Sequence, residues 1–189
     1  MASRRFDPDR RDRIIAAALD VIAAQGVAGA SHRKIAEQAG VPLGSMTYHF
    51  ANMDELLTEA FRRFGNSIAD RFDQELGEAT DVDGARLAVV DLIHLDLLDS
   101  QRDLVLTHEL YTLAARKPVF RQITRDWMAR NRRALGLHFD PETCRMLDAL
   151  IEGLFIHAAL DTEPHHRATT VEAVARITTP YHRPARTAH

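Results

Sequence analysis

The chain has 189 residues, 46% of them hydrophobic, with a formal net charge of −3. That content excludes wholesale disorder and suffices for one large packed domain or two small ones. The one cysteine, Cys144, excludes a disulfide framework, and no apolar run reaches membrane-spanning length, so a cytoplasmic location without a membrane partner is expected. The opening "MASRRFDPDRRDR" has no apolar segment of the kind a secretory signal needs. Charge is uneven: residues 1–51 carry seven Lys/Arg against five Asp/Glu, +2, which leaves −5 on the rest. A mildly basic head on an acidic body suits a small nucleic-acid module joined to something else.

No sustained period-two run and no Asn-Gly or Asp-Gly hairpin turn occurs, whereas helical spacing appears nearly throughout. Ile14, Ile15, Ala18, Leu19 and Ile22 mark a first helix over about 9–25, broken by Gly26 and Gly29. Ser31 is placed to cap a short second helix, "HRKIAEQA", which Gly40 ends. Gly40-Val41 makes a tight turn, and Pro42 stands at the start of a third helix, where its missing N–H is harmless. Asn52 and Glu55 form a capping box for a fourth. Leu57, Phe61, Phe64, Ile68, Phe72 and Leu76 give that fourth helix one apolar stripe, which makes it a rigid lever. Helix, short helix, turn and short helix form a helix-turn-helix, whose last member fits the major groove.

Further helices are expected at 84–99, 102–116, 118–135, 141–161 and 167–179, with Pro118 and Pro141 at helix starts and Pro164 interrupting the last two. The class is therefore all-α: an N-terminal three-helix helix-turn-helix domain (1–51) joined to a C-terminal helical bundle (52–189), about nine helices in all. The tail "PYHRPARTAH" reads as frayed. "ARLAVVDLIHLDLLD" is apolar almost all round, so its helix should be central, with His94 in the sector of Val90, Leu97 and Leu98. His108, Tyr111 and Thr112 share a face of the next helix; Trp127 follows Phe120 and Ile123; His157 accompanies Leu150, Leu154 and Leu160. His94, His108, Tyr111, Trp127, Phe155 and His157 are the candidate lining of a ligand cavity. Taken singly, Trp127, Phe120 and Phe155 at this spacing read as core. His94, His108 and His157 lack the i, i+4 pairing or Cys-rich context of a metal site, and "PHHR" (His165, His166) reads as a solvated loop, so no metal or cofactor is expected.

Residues 10–61 resemble the N-terminal domain of the tetracycline-repressor (TetR/AcrR) family of transcriptional regulators, through "RRDRIIAAALDVIAAQGVAGAS", "RKIAEQAGVPLGSMTYHF" and "ANMDELL". The resemblance implies a homodimeric DNA-binding regulator, a repressor on a palindromic operator released by an unknown small-molecule effector; the alternative is a DNA-binding regulator of the same fold with no small-molecule ligand. It implies double-stranded DNA contacts at Arg33 and neighbouring Lys34, groove-facing positions at Leu43, Ser45 and Thr47, and phosphate contacts at Tyr48 and His49. It also implies a four-helix dimer interface from the last two helices, whose stripes are Leu147, Ile151, Leu154 and Ala158, and Val171, Val174 and Ile177. Three residues depart from the common family pattern: Thr47 replaces a Tyr, Pro42 a capping Ser or Thr, and Met53 a phosphate-binding Lys. Arg4 and Arg5 either enter a minor groove, as homeodomain arms do, or lie on a solvated tail. No nucleophile–base motif, HExxH, phosphate loop or paired Glu-x-x-His set is present, which argues against an enzyme.

Overall fold

The computed structural model describes residues 8–97, 100–163 and 165–179. Arg4 and Arg5, Leu98, Pro164 and the 180–189 tail lie outside the described residues, as does the side chain of Leu97. Among the described residues there are nine α-helices, one π-helical segment and no strand. By contacts the chain forms two compact units, residues 1–70 with 100–129 and residues 71–99 with 130–189. The division expected at 51/52 is thus not where the compact units part, because a later helix packs back onto the N-terminal ones.

The first unit contains α1 (Arg10–Gly29), α2 (His32–Gln38), α3 (Gly44–His49), most of α4 (Met53–Glu78), α6 (Gln101–Arg116) and the first two-thirds of α7 (Pro118–Leu135). Ile14, Ile15, Ala18, Leu19 and Ile22 of α1 are all buried, as their spacing requires. Gly26, at φ 69 and ψ 171, breaks the helical run of α1 as expected, and a short helical stretch to Gly29 follows across the kink. α6 packs against α1, and Arg102 pairs with Asp20 at 2.9 Å. Every member of the α4 stripe is at most 3% exposed. Phe61 meets Phe120 of α7 edge-on at 6.1 Å, a geometry worth about 0.5–1.5 kcal/mol beyond burial.

The second unit contains the end of α4, α5 (Val82–Asp91), the end of α7, α8 (Pro141–Leu160) and α9 (Arg167–Thr178). Asp81 caps α5 by accepting the Gly84 N–H at 2.7 Å. Asp140 caps α8 through the N–H groups of Glu142 and Thr143, with Pro141 in the first turn. The hydroxyl of Thr143, donating to its carboxylate, holds Asp140 below the usual carboxylate range. The expected helix 84–99 is interrupted: α5 passes into the π-helical segment at Leu92–Leu97. Val89, Val90, Leu92 and Ile93 are buried, as a central helix demands, but Leu87 is 56% exposed. α9 packs on both α5 and α8.

Candidate nucleic-acid interface and effector-site residues

The α2–α3 hairpin is built by local chemistry. Ser31 accepts the Lys34 N–H at 3.3 Å, which satisfies one of the donors a helix start leaves open. Gly40 adopts φ 62, a conformation that a side chain at Cβ disfavours, and Val41 donates back to Ala36 at 3.0 Å. α3 begins at Gly44 rather than at Pro42, because Pro42 and Leu43 form the preceding turn: their carbonyls accept from Ser45 and Met46 at 2.8 and 3.0 Å. No side chain caps α3, as the loss of Ser or Thr at 42 implies. Asn52 accepts the Glu55 N–H at 2.9 Å, while the Glu55 carboxylate reaches the N–H of Ala51 at 2.6 Å, one residue earlier than in the usual reciprocal box.

Met46 and Phe50 are buried and hold α3 on the small core, leaving Leu43 54% and Tyr48 83% exposed. Arg33 and Thr47 are also exposed, and His49 is half-buried with Tyr48 edge-on at 4.9 Å. Two expected groove or backbone residues are placed differently. Ser45 shares the inward side of α3 with Met46 and is only 9% exposed. Lys34 donates to Gln25 Oε1 at 2.6 Å and to the Gly29 carbonyl at 2.9 Å, so its ammonium closes the C-terminal end of α1. Residue spacing alone missed Arg11. Its guanidinium lies 5.1 Å from the Phe50 ring and pairs with Glu59 at 3.0 Å. Together with the Arg63–Asp12 pair at 3.4 Å, this fastens α1, α3 and α4 to one another.

The candidate ligand residues fall three to each unit. In the first, Tyr111 stacks on Trp127 at 5.9 Å and 27°, and Phe64 meets Trp127 edge-on at 6.1 Å. His108 Nδ1–H donates to the Leu104 carbonyl at 2.8 Å, so Nε2 carries the lone pair when the ring is neutral. His108 Nε2 and Trp127 Nε1 are buried without a hydrogen-bond partner among the described residues, and so is Thr107 Oγ1, a residue the sequence did not single out. Thr107 and His108 lie four and three residues before Tyr111, on the same side of α6. Trp127 is 5% exposed and borders an open notch of about 200 Å³ with Gly65, Asn66 and Ile123.

In the second unit Phe155 is buried at 4% exposure, as the core reading of such a residue has it. His157 lines a cavity of about 330 Å³ with His165, His166 and Thr169. His94 is not set among apolar groups alone: its Nε2 lies 2.7 Å from Thr170 Oγ1. Among the described residues no cluster of three or more His, Cys, Asp or Glu is placed to hold a metal.

α8 has two apolar faces. The stripe named from the sequence, Leu147, Ile151 and Leu154, is buried within its own unit, as is Val174 of α9; the side chain of Ala158 lies outside the described residues. The opposite face presents Met146 at 43%, Ile156 at 47% and Leu160 at 77% exposure, with Val171 of α9 at 41%. Gly153 lies in the same row, with open space where a Cβ would stand.

Two family models match the chain: bacterial regulatory proteins of the tetR family over residues 14–60, and the tetracyclin repressor-like C-terminal domain over residues 80–180. The crystal structure of a transcriptional regulator from Streptomyces coelicolor A3(2) is 62% identical, covering 92% of this chain and 100% of that one at a TM-score of 0.84. The multidrug binding protein EbrR in complex with ethidium is 31% identical, covering 90% of this chain and 99% of its own at 0.77. PksA of Bacillus subtilis is 40% identical over 62 residues, 33% of this chain and 30% of that regulator. The chain thus spans less than two-thirds of the length of that curated relative. No described helix is long and apolar enough to cross a membrane.

Proposed function

The chain belongs to the TetR family of DNA-binding transcriptional regulators, not to an enzyme family, and from that premise we propose a homodimeric repressor that binds a palindromic operator and leaves it when a small molecule binds. The observation that carries this reading is the exposed row of Arg33, Leu43, Thr47 and Tyr48 over a helix anchored by buried Met46 and Phe50. Arg33 reads a base edge, Leu43 and Thr47 meet the groove floor, and Tyr48 and His49 hold phosphates. Residues 1–51 carry this role and the remainder carries effector binding and pairing.

One short recognition helix makes too few contacts for a specific site, so two are needed, related by a two-fold axis. The exposed face of Met146, Gly153, Ile156 and Leu160, with Val171, supports pairing through α8 and α9. Its apolar area is lost from water on association, and Gly153 lets the helices approach closely.

The effector reading rests on Thr107, His108, Tyr111 and Trp127. Three unpartnered buried polar atoms there are satisfied by a ligand that offers an acceptor to the Trp127 N–H and a donor to His108 Nε2. α6 carries Thr107, His108 and Tyr111 of this cluster and also lies on α1, so a ligand that shifts α6 also shifts the DNA-binding helices. The α4 lever is a second route. A coupling of about 1–3 kcal/mol weakens operator affinity roughly 5- to 150-fold.

The test is a gel-shift assay on DNA fragments flanking the protein's own gene, with wild type and Tyr48→Ala compared. Retardation by wild type that the variant loses supports the reading. Equal retardation of every fragment by both proteins refutes it.

A further inference from the structure

We propose that His94, Thr170 and His165 form a proton-operated latch, in which neutral His94 holds α9 on α5 and protonated His94 releases it. The three residues come from the π-helical segment after α5, from α9 and from the chain just before α9. Thr170 is fully buried, and its Oγ1 lies 2.7 Å from His94 Nε2 and 2.9 Å from His165 Nε2. The two rings stack at 5.8 Å with an angle of 19°. A hydroxyl has one proton and two lone pairs. With both rings neutral it donates to one Nε2 and accepts the N–H of the other, so the hydroxyl and both Nε2 atoms have a partner.

A proton on His94 disturbs this arrangement electrostatically. The new charge faces the His165 ring and the Arg167 guanidinium; among the described residues the acid acting on it, Asp91, is already paired with Arg167. Farther out, the cavity beside His165 is rimmed by His157, His166, Asp161 and Glu163. Both acids are exposed, so solvent screens them. Burial, then His165, then Arg167 hold the His94 imidazole below its ordinary value, with Asp91 opposing. A histidine shifted down favours the fold when neutral. The latch is therefore complete above the ordinary value of about 6.5 and weakens as pH falls below it through the lowered folded-state value.

Release starts at the N-terminal end of α9. The other end keeps its own tie, because Arg86 donates to the hydroxyl and carbonyl of Thr178 at 2.7 and 3.1 Å. α9 also bears Val171, and if the proposed pairing face is correct, acid loosens the dimer too. The latch itself lies within one chain and stands even if sedimentation shows a monomer.

The experiment is thermal melting of wild type and His94→Gln at pH 7.5 and 5.5, with the titration of the His94 imidazole in wild type followed by NMR. Gln keeps a neutral hydrogen-bonding group and cannot take the proton. Wild type should lose at least about 3 °C more than the variant on acidification, the size expected for about 1 kcal/mol in a chain this long, and His94 should titrate below the ordinary imidazole value. Equal acid losses in the two proteins overturn the latch. So does a His94 that titrates at or above the ordinary value, a result readable even if His94→Gln fails to fold.

Discussion

Glu109 of α6 sits directly over Gly26 of α1, so that a Cβ on Gly26 would lie 2.6 Å from the Glu109 carboxylate. With the Arg102–Asp20 pair, this contact joins the helix bearing His108 and Tyr111 to the first helix of the DNA-binding segment. Gly26 also holds φ 69 with ψ 171, a region essentially reserved for glycine, where an L-residue costs on the order of 1–3 kcal/mol. Gly26→Ala should lower the melting temperature by several degrees. The Glu109 carboxylate can swing aside, so the double variant Gly26→Ala/Glu109→Ala should recover little of that loss. Full recovery in melting experiments would show that crowding, rather than backbone strain, dominates.

Recognition and anchoring should separate by substitution. Tyr48→Phe removes one hydroxyl at a proposed phosphate contact and should weaken binding to operator and random DNA alike. Arg33→Ala should relax preference at one base position, by about 1–3 kcal/mol if the contact is bidentate. Lys34→Ala should act differently from either, through stability, because its ammonium is bonded to Gln25 and Gly29. Competition gel shifts with specific and random DNA measure the first two, and thermal melting the third.

The outer face of α8 gives a prediction for assembly. Ile156→Asp and Leu160→Asp place charges at residues 47% and 77% exposed, where a lone chain tolerates them and an apolar interface does not. Sedimentation at micromolar concentration should move from about twice the 21.2 kDa chain mass to a single chain mass, with helical content retained. Leu147→Asp, on the buried face, should instead unfold the protein.

Much of this molecule was legible from spacing. The stripes of α1 and α4, the Ser31 cap, the Gly40 turn and the starts of α7 and α8 follow from local rules and recur in the structure. Ser45 and Lys34 were not legible, because the exposure of a six-residue helix depends on which neighbours cover it and a lysine's reach extends to carbonyls of another helix. Spacing marks the inward stripe of α8 for a related reason: that helix is apolar on two sides, and periodicity alone does not say which side a second chain would cover. The π-helical segment after α5 carries no residue signal at all, since Leu92–Leu97 continues an apolar helical pattern.

Trp127 is the one tryptophan of the chain, which makes the effector reading measurable by fluorescence. Trp127→Ala removes a buried ring and should cost about 3–5 kcal/mol of stability, so Trp127→Phe is the informative variant. It keeps a ring against Tyr111 and deletes the unpartnered N–H. It should bind operator as wild type does and need a several-fold higher effector concentration for release, the size of one lost hydrogen bond of about 0.5–1.5 kcal/mol. An unchanged response would place the effector elsewhere.

The central claim, that α3 reads DNA from a two-fold pair, is tested most directly by selecting binding sites from random-sequence duplexes with the purified protein and footprinting the winners. Inverted repeats are expected, with half-sites centred about one helical turn, or a small multiple of it, apart, as a two-fold pair of recognition helices requires. Enrichment of a single unrepeated half-site, or no enrichment over random DNA, would contradict it.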